Sequence, residues 1–374
     1  MATAPAVLQV LPALVTGGVE RGTIEIAEAI RDAGMRAIVA SAGGPMVAEL
    51  EALGVRHVNL PLRSKSPVSI LRNAASLAAL VREEGVRLVH ARSRAPAWSA
   101  LLAARRSGAA FVTTYHGVYN EGFPGKRFYN AVMARGDRVI AVSDYVAAVV
   151  RERHGLGDDR LRVIPRGVDA RRFDPDLVAP ERVLSLRAAW GGEGRQVILL
   201  PGRLTRWKGQ SVLIQAMAAL RGDALAVLAG GGGEGAYRGE LVALARQHGV
   251  ADRVLILGHV EAMATALLAA DVVVHASTDA EAFGRTVIEA QAMGRPIIAS
   301  DLGGPRETVR HGVTGWRVPP GDPQALAATL DRVLSLPALE RAAVARAGRD
   351  AVLRDYTTAR MQEATLGVYR ELLR

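Results

Sequence analysis

The chain has 374 residues, 49% of them hydrophobic and 22% charged, and no cysteine. The length calls for two domains rather than one core. The composition excludes a disordered chain, and the lack of cysteine excludes disulfides and thiolate metal sites, which fits a reducing compartment. The net charge is +10, with residues 1–170 holding 22 Lys and Arg against 15 Asp and Glu; such a field attracts nucleic acid, anionic membrane or phosphorylated substrates.

The first 19 residues carry no charge. They have no basic start, and Pro12 and Gly17-Gly18 break the apolar run, so a buried strand and a loop are expected there instead of a signal peptide. No other stretch approaches the roughly 18 apolar residues of a spanning helix, and a cytoplasmic location is expected. Strands are predicted at 6–11, 36–41, 57–60, 87–91, 110–115 and 138–143, with amphipathic helices at 20–33, 69–84, 94–107 and 144–154. The stretch 165–180 is dense in Pro, Gly and Asp and reads as a connector. A second series of strands follows at 196–202, 224–230, 253–258, 271–277 and 295–300. This rhythm predicts an α/β protein of two doubly wound, Rossmann-like domains facing across a cleft. They are expected at 1–170 and 171–355, and 356–374 reads as one amphipathic helix.

Several loops at strand ends could carry chemistry. "TGGVERG" (16–22) pairs Gly17 and Gly18 with the start of a helix, where backbone N–H groups can meet an anion; a plain tight turn fits equally. It is not a GxGxxG fingerprint, so a nicotinamide dinucleotide is poorly supported. "PGRLTRWKGQ" (201–210) sets Arg203 and Lys208 after a strand, cations suited to a diphosphate or to a solvated basic turn. Lys208 is one of only three lysines, with Lys65 and Lys126, among 47 basic residues. "AGGGGEG" (229–235) is either a ligand approach or a surface turn. In "TDAEAFGRTVIEAQAM" (278–293), Glu281 lies in a loop and Glu289 one turn into a helix. Between them, Gly284, Arg285 and Thr286 offer the N–H groups of a helix start. Two carboxylates flanking an anion site suit a ligand with hydroxyls on either side of its phosphates, which is the layout of a nucleotide-sugar. A helix cap and an ordinary surface pair remain the plain alternatives.

Residues 281–322, "EAFGRTVIEAQAMGRPIIASDLGGPRETVRHGVTGWRVPPGD", resemble the E-x7-E signature region of the retaining glycosyltransferases of family 4 (GT4), which have the GT-B architecture. "GGVER" (17–21), "TYHG" (114–117), "AVSDY" (141–145), "VIPRGVD" (163–169) and "PGRL…KG" (201–209) match in the family's order and spacing. The resemblance implies that Glu281 contacts the donor sugar and Glu289 the ribose, with Phe283 to Thr286 in the same donor site. It further implies that Arg203 and Lys208 neutralise the diphosphate, that Gly17 and Gly18 meet the diphosphate or the acceptor, and that His116 sits beside the reacting sugar. The last helix would cross back to the first domain. Arg166 and His275 depart from the usual pattern and put substrate preference in question.

The implied reaction is transfer of a sugar from a nucleoside-diphosphate sugar to a hydroxyl with retained configuration. Lys208, Arg203 and the helix start would stabilise the leaving diphosphate, with no metal and no cofactor beyond the donor. The basic stretches 91–96, 104–108 and 124–130 suggest a phosphorylated or lipid-linked acceptor, of lipopolysaccharide-core type, at an anionic membrane face. A GT-B epimerase and a basic nucleic-acid-binding protein are the rival classes. Low aromatic content, 4%, and the absence of a recognition motif argue against the latter, and nucleic acid is not expected as a partner.

Overall fold

A computed structural model describes residues 4–15, 17–122, 125–232 and 235–374. Thr16, residues 233–234 of the stretch 229–235 and Pro124 of the basic stretch 124–130 lie outside the described residues. The chain divides into two compact units, one of Met1–Arg166 with Thr358–Arg374 and one of Gly167–Thr357.

In the first unit the described residues form a seven-stranded parallel sheet: β1 (Ala6–Val10), β2 (Arg36–Ser41), β3 (Arg56–Asn59), β4 (Val86–Ala91), β5 (Ala110–Tyr115), β6 (Arg138–Ala141) and β7 (Leu161–Val163). Their order is β3-β2-β1-β4-β5-β6-β7. β1 is buried along its whole length, as a central parallel strand covered by helices on both faces must be. The order reverses between β1 and β4, so the connections on either side run over opposite faces and leave a crevice at the carboxyl ends of these two strands.

The second unit repeats the plan with β8 (Gln196–Pro201), β9 (Ala224–Ala229), β10 (Val254–Ile256), β11 (Val272–His275), β12 (Ile297–Ser300) and β13 (Trp316–Val318), in the order β10-β9-β8-β11-β12-β13. Its reversal falls between β8 and β11. One core of Ile198, Leu200, Leu213, Met217, Val274, Ile298 and Leu330 holds the sheet to its helices. β7 and β13 are not anticipated by the sequence. Each is a three-residue edge strand, "LRV" and "WRV", too short to show alternation.

The helix Thr358–Leu373 belongs to the first unit. Its Met361, Leu366, Val368 and Tyr369 pack with Val7, Ile26, Leu88, Val112 and Ile140. Tyr369 is fully buried, and its hydroxyl meets His90 Nδ1 at 2.6 Å while His90 Nε2 meets Thr114 Oγ1 at 2.7 Å. Burial, and then the charge of Arg92, hold His90 well below the usual histidine pKa, so the ring is neutral and donates through one nitrogen only. At the rim, Arg138 and Arg162 pair with Glu371 at 2.8 and 3.0 Å. Replacing Tyr369 with Phe leaves a buried ring nitrogen without its partner. It should destabilise the first unit by about 1–3 kcal/mol, measured as a lowered urea midpoint with unchanged slope.

Candidate functional site

In the second unit, β8 leads into the loop that carries Arg203 and Lys208. Gly209 closes that loop with φ 72°, and a Cβ there would strike the Ala276 carbonyl oxygen. Only glycine lets this loop lie against the exit of β11. The Thr278 N–H donates to the Trp207 carbonyl at 2.8 Å and fastens the two segments.

The close approach sets Lys208 against Glu281. The ammonium donates to Glu281 Oε1, which also accepts from Ser277 Oγ at 2.7 Å and meets His275 Nε2 at 2.8 Å. The side chains of Lys208, Glu281 and His275 are 13, 11 and 4% exposed. Burial by itself raises the Glu281 pKa. The interactions with His275 and then with Lys208 outweigh it and hold the carboxyl well below the usual range. Glu281 is a carboxylate across the working pH range. Its backbone carbonyl accepts from the Gly304 N–H at 2.9 Å, so the loop after β12 fixes it from the other side.

The helix Arg285–Ala292 begins just beyond. Gly284 is its N-cap residue and makes no side-chain cap, which leaves first-turn N–H groups without side-chain acceptors from that position. The Thr286 hydroxyl is buried with no partner among the described residues. Glu289 lies 3.6 Å from Arg285 Nε across one turn. Phe283 is buried, with its ring 5.7 Å from that of Tyr356, so its side chain is packing and any contribution to a ligand comes from its backbone. Arg203 is exposed, and its carbonyl accepts from Gln210 Nε2 at 2.9 Å.

The remaining residues singled out from sequence lie in the first unit. Gly17 is the N-cap residue of the helix Gly18–Asp32. His116 follows β5 directly, and its Nε2 is buried without a partner among the described residues. Burial, then Arg92, Arg166 and His90, push its pKa well below the usual value, so the ring is neutral.

The structure thus joins Lys208 with Glu281, sets Arg203 on the same loop and Glu289 on the adjoining helix, and places Gly17, Gly18 and His116 in the other unit. Sequence reasoning missed two partners of Glu281. His275 was noted only as a departure from a pattern, and Ser277 was not noted. Their spacing of two on an extended exit, which puts both side chains on one face, was the available signal. The stretch 91–96 also needs correcting as a basic surface. Arg92 is 3% exposed, and Arg94 donates to Asn130 at 2.8 Å while stacking over Tyr119 at 4.1 Å. Arg92 directly follows β4, and Arg94 opens the helix Arg94–Ser107.

Residues 186–350 match the profile of the family described as glycosyl transferases group 1, and residues 16–172 that of Glycosyltransferase Family 4. A solved glycosyltransferase from Rickettsia africae is 35% identical, with each chain fully covered and a TM-score of 0.92. The Anabaena protein HepE, solved in complex with UDP-glucose, is 25% identical, with 98% of this chain and 99% of that one covered and a TM-score of 0.86. A curated D-inositol 3-phosphate glycosyltransferase of Xylanimonas cellulosilytica is 36% identical over 258 residues; the match covers 63% of this chain, which spans about 60% of that relative's length.

A carboxyl with a depressed pKa adds stability above the ordinary Glu value of 4.5 and loses it as pH falls below that. The melting-temperature gap between the wild type and Glu281→Gln should therefore be level from pH 5 upward and narrow steadily toward about pH 2. A gap of constant size across that range would show that the carboxylate's charge is not what holds the site.

Proposed function

This chain belongs to the GT4-type glycosyltransferases of GT-B architecture, and from that premise we propose that it moves a sugar from a nucleoside-diphosphate sugar to an acceptor hydroxyl with retention of configuration. The observation that carries the reading is the Lys208–Glu281 pair at the sheet reversal of the second unit, beside the start of the helix Arg285–Ala292. An ammonium has three N–H donors, so Lys208 can keep Glu281 and still give hydrogen bonds to phosphate oxygens. Glu281, ionised and held through one oxygen by Ser277, His275 and Lys208, suits the acceptance of sugar hydroxyls. Glu289 is the candidate for the ribose. Arg203, exposed on the same loop, adds a guanidinium for the diphosphate.

The barrier in such a transfer is charge gathering on the departing diphosphate while the sugar becomes cationic. Fixed donors lower it most when they are in place before the reaction. We assign that work to Lys208, Arg203 and the N–H groups and hydroxyl around Thr286. Among the described residues no group of three or more His, Cys, Asp or Glu converges, and we propose that the chain's own cations do what a divalent ion does elsewhere. Activity should then persist in EDTA.

For the acceptor we propose a hydroxyl compound carrying a phosphate. The name of the Xylanimonas relative, and the excess of positive charge in residues 1–170, support that class over a neutral glycan; a lipopolysaccharide-core acceptor is one form it can take. Among the described residues no helix is long and apolar enough to cross a membrane. A lipid-linked acceptor would be met at a surface. Phe128, 64% exposed, stacks on Trp98 with centroids 5.2 Å apart, and the Arg135 guanidinium lies over both rings. An aromatic with nearby cations is suited to an anionic lipid interface. Vesicles rich in phosphatidylserine should sediment the wild type at low salt and release it at high salt, and Phe128→Ser should bind less.

The donor reading is tested by melting the protein with UDP-, GDP- and ADP-sugars. One of them should raise the melting temperature, because a ligand of the folded state stabilises it by mass action. Glu289→Ala should lose that rise while keeping the ligand-free melt, and Lys208→Ala should lose it with a lowered ligand-free melt, because Glu281 is left without its buried lysine partner. Equal shifts in the wild type and both variants would defeat the assignment.

A further inference from the structure

Glu281 is held by more than its lysine. Its Oε1 accepts from Lys208 Nζ, from Ser277 Oγ at 2.7 Å and from His275 Nε2 at 2.8 Å. A carboxylate can only accept, so in this contact the imidazole hydrogen lies on Nε2. His275 Nε2 is also 3.2 Å from Ser277 Oγ, which ties these two donors to each other. Three donors thus crowd a single oxygen, more than its lone pairs accommodate one to one. Among the described residues no donor is on Oε2.

The three donors differ in origin. His275 and Ser277 lie six and four positions before Glu281, on the same excursion from β11 to the helix Arg285–Ala292. His275 ends β11, pairs with Ala299 of β12 and is 4% exposed, and Ser277 is 1% exposed. Lys208 instead reaches across from the loop after β8, 73 positions away. Its stem lies beside Gly202, and its ammonium is 4.6 Å from the centre of the Trp207 ring. That ring face attracts the ammonium independently of the carboxylate.

We propose that His275 is a positioning residue: with Ser277 it holds Glu281 independently of Lys208, so that the lysine can be drawn from the carboxylate onto the phosphate oxygens of a ligand. A buried carboxylate stripped of every partner is costly; one that keeps two hydrogen bonds from its own segment is much less so. The ammonium meets the phosphate first with its spare donors, and the pair then loosens without orphaning Glu281. Oε2 remains available to hydroxyl groups throughout. No covalent bond changes in this exchange; only hydrogen bonds change partner. The inference rests on the transferase reading for the identity of the ligand as a donor diphosphate; the exchange itself does not.

The exchange is tested first without ligand, by a double-mutant cycle of Lys208→Ala and His275→Leu read as urea-unfolding stability. Because each partner covers for the other, the double variant should lose more than the sum of the two single losses. Additive losses would overturn the proposal. Titration with inorganic pyrophosphate at constant ionic strength then reads the hand-over. His275→Leu and Ser277→Ala should bind it about tenfold more weakly than the wild type, because their Lys208 is needed at Glu281. His275→Gln, whose side-chain amide donates from a similar reach, should recover most of that affinity, which lost ring packing would not allow. Unchanged affinity in His275→Leu, or equal loss in His275→Gln, would count against the role assigned to the imidazole. UDP-, GDP- and ADP-sugars are titrated on the same proteins. Pyrophosphate binding that follows His275, with no response to any of the sugars, would sink the donor reading and leave the exchange standing. A wild type that binds neither pyrophosphate nor sugar nucleotide would sink both.

Discussion

One close approach of backbone organises the second unit's chemistry. Gly209 brings the exit of β8 against the carbonyl of Ala276 at the exit of β11, and a lysine and a glutamate 73 residues apart become an ion pair. Each partner alone would be costly at this depth of burial. Together, with Ser277 and His275 on the same oxygen, they form a carboxylate fixed in place and an ammonium with donors to spare. The sheet reversal supplies the crevice, and the glycine allows charge to be brought to its mouth.

The two units use the same plan with different charge bookkeeping. Both are parallel sheets whose order reverses beside the first strand of the series, β1 in one and β8 in the other, and both set cations at the strand exits next to a helix start. In the second unit the cation Lys208 is satisfied by its own carboxylate, so the site is stable when empty and a ligand has to share the pair. In the first unit Arg92 is buried without an ion pair among the described residues, with the charge of Glu25 acting on it, so the fold carries an electrostatic cost there. Such a cost persists in a native fold only where the surrounding packing overrides it. The burial of β1, of Leu88 to Ala91 in β4 and of Tyr369 around that point supplies that packing.

Much of this was legible in the sequence because it depends on local signals. Buried parallel strands read as apolar runs, and the loops carrying Lys208 and Glu281 were located by what precedes and follows them. The edge strands β7 and β13 were not legible, since three residues containing an arginine carry no periodicity. The connector stretch 165–180 was visible as Pro, Gly and Asp, but that Arg166 folds into the first unit depends on its contact with Gly18, 148 positions away. The third and fourth partners in the Glu281 cluster were hidden for a different reason. A histidine at the end of a strand has many uses, and only the three-dimensional exit of β11 shows that His275 and Ser277 turn toward the same carboxylate.

Arg92 shows where composition misleads. In a chain with 47 basic residues, an arginine between "HA" and "SRAP" reads as one more surface charge, and its neighbours at 104–108 fit that reading. What separates it is its position, one residue past the buried end of β4 and beside the sheet reversal, where it is 3% exposed. A long positive side chain in that place must find an anion, a carboxylate or a cavity. The charge of Glu25, itself 7% exposed, acts on Arg92, so part of the compensation comes from the helix packed against the sheet and not from solvent.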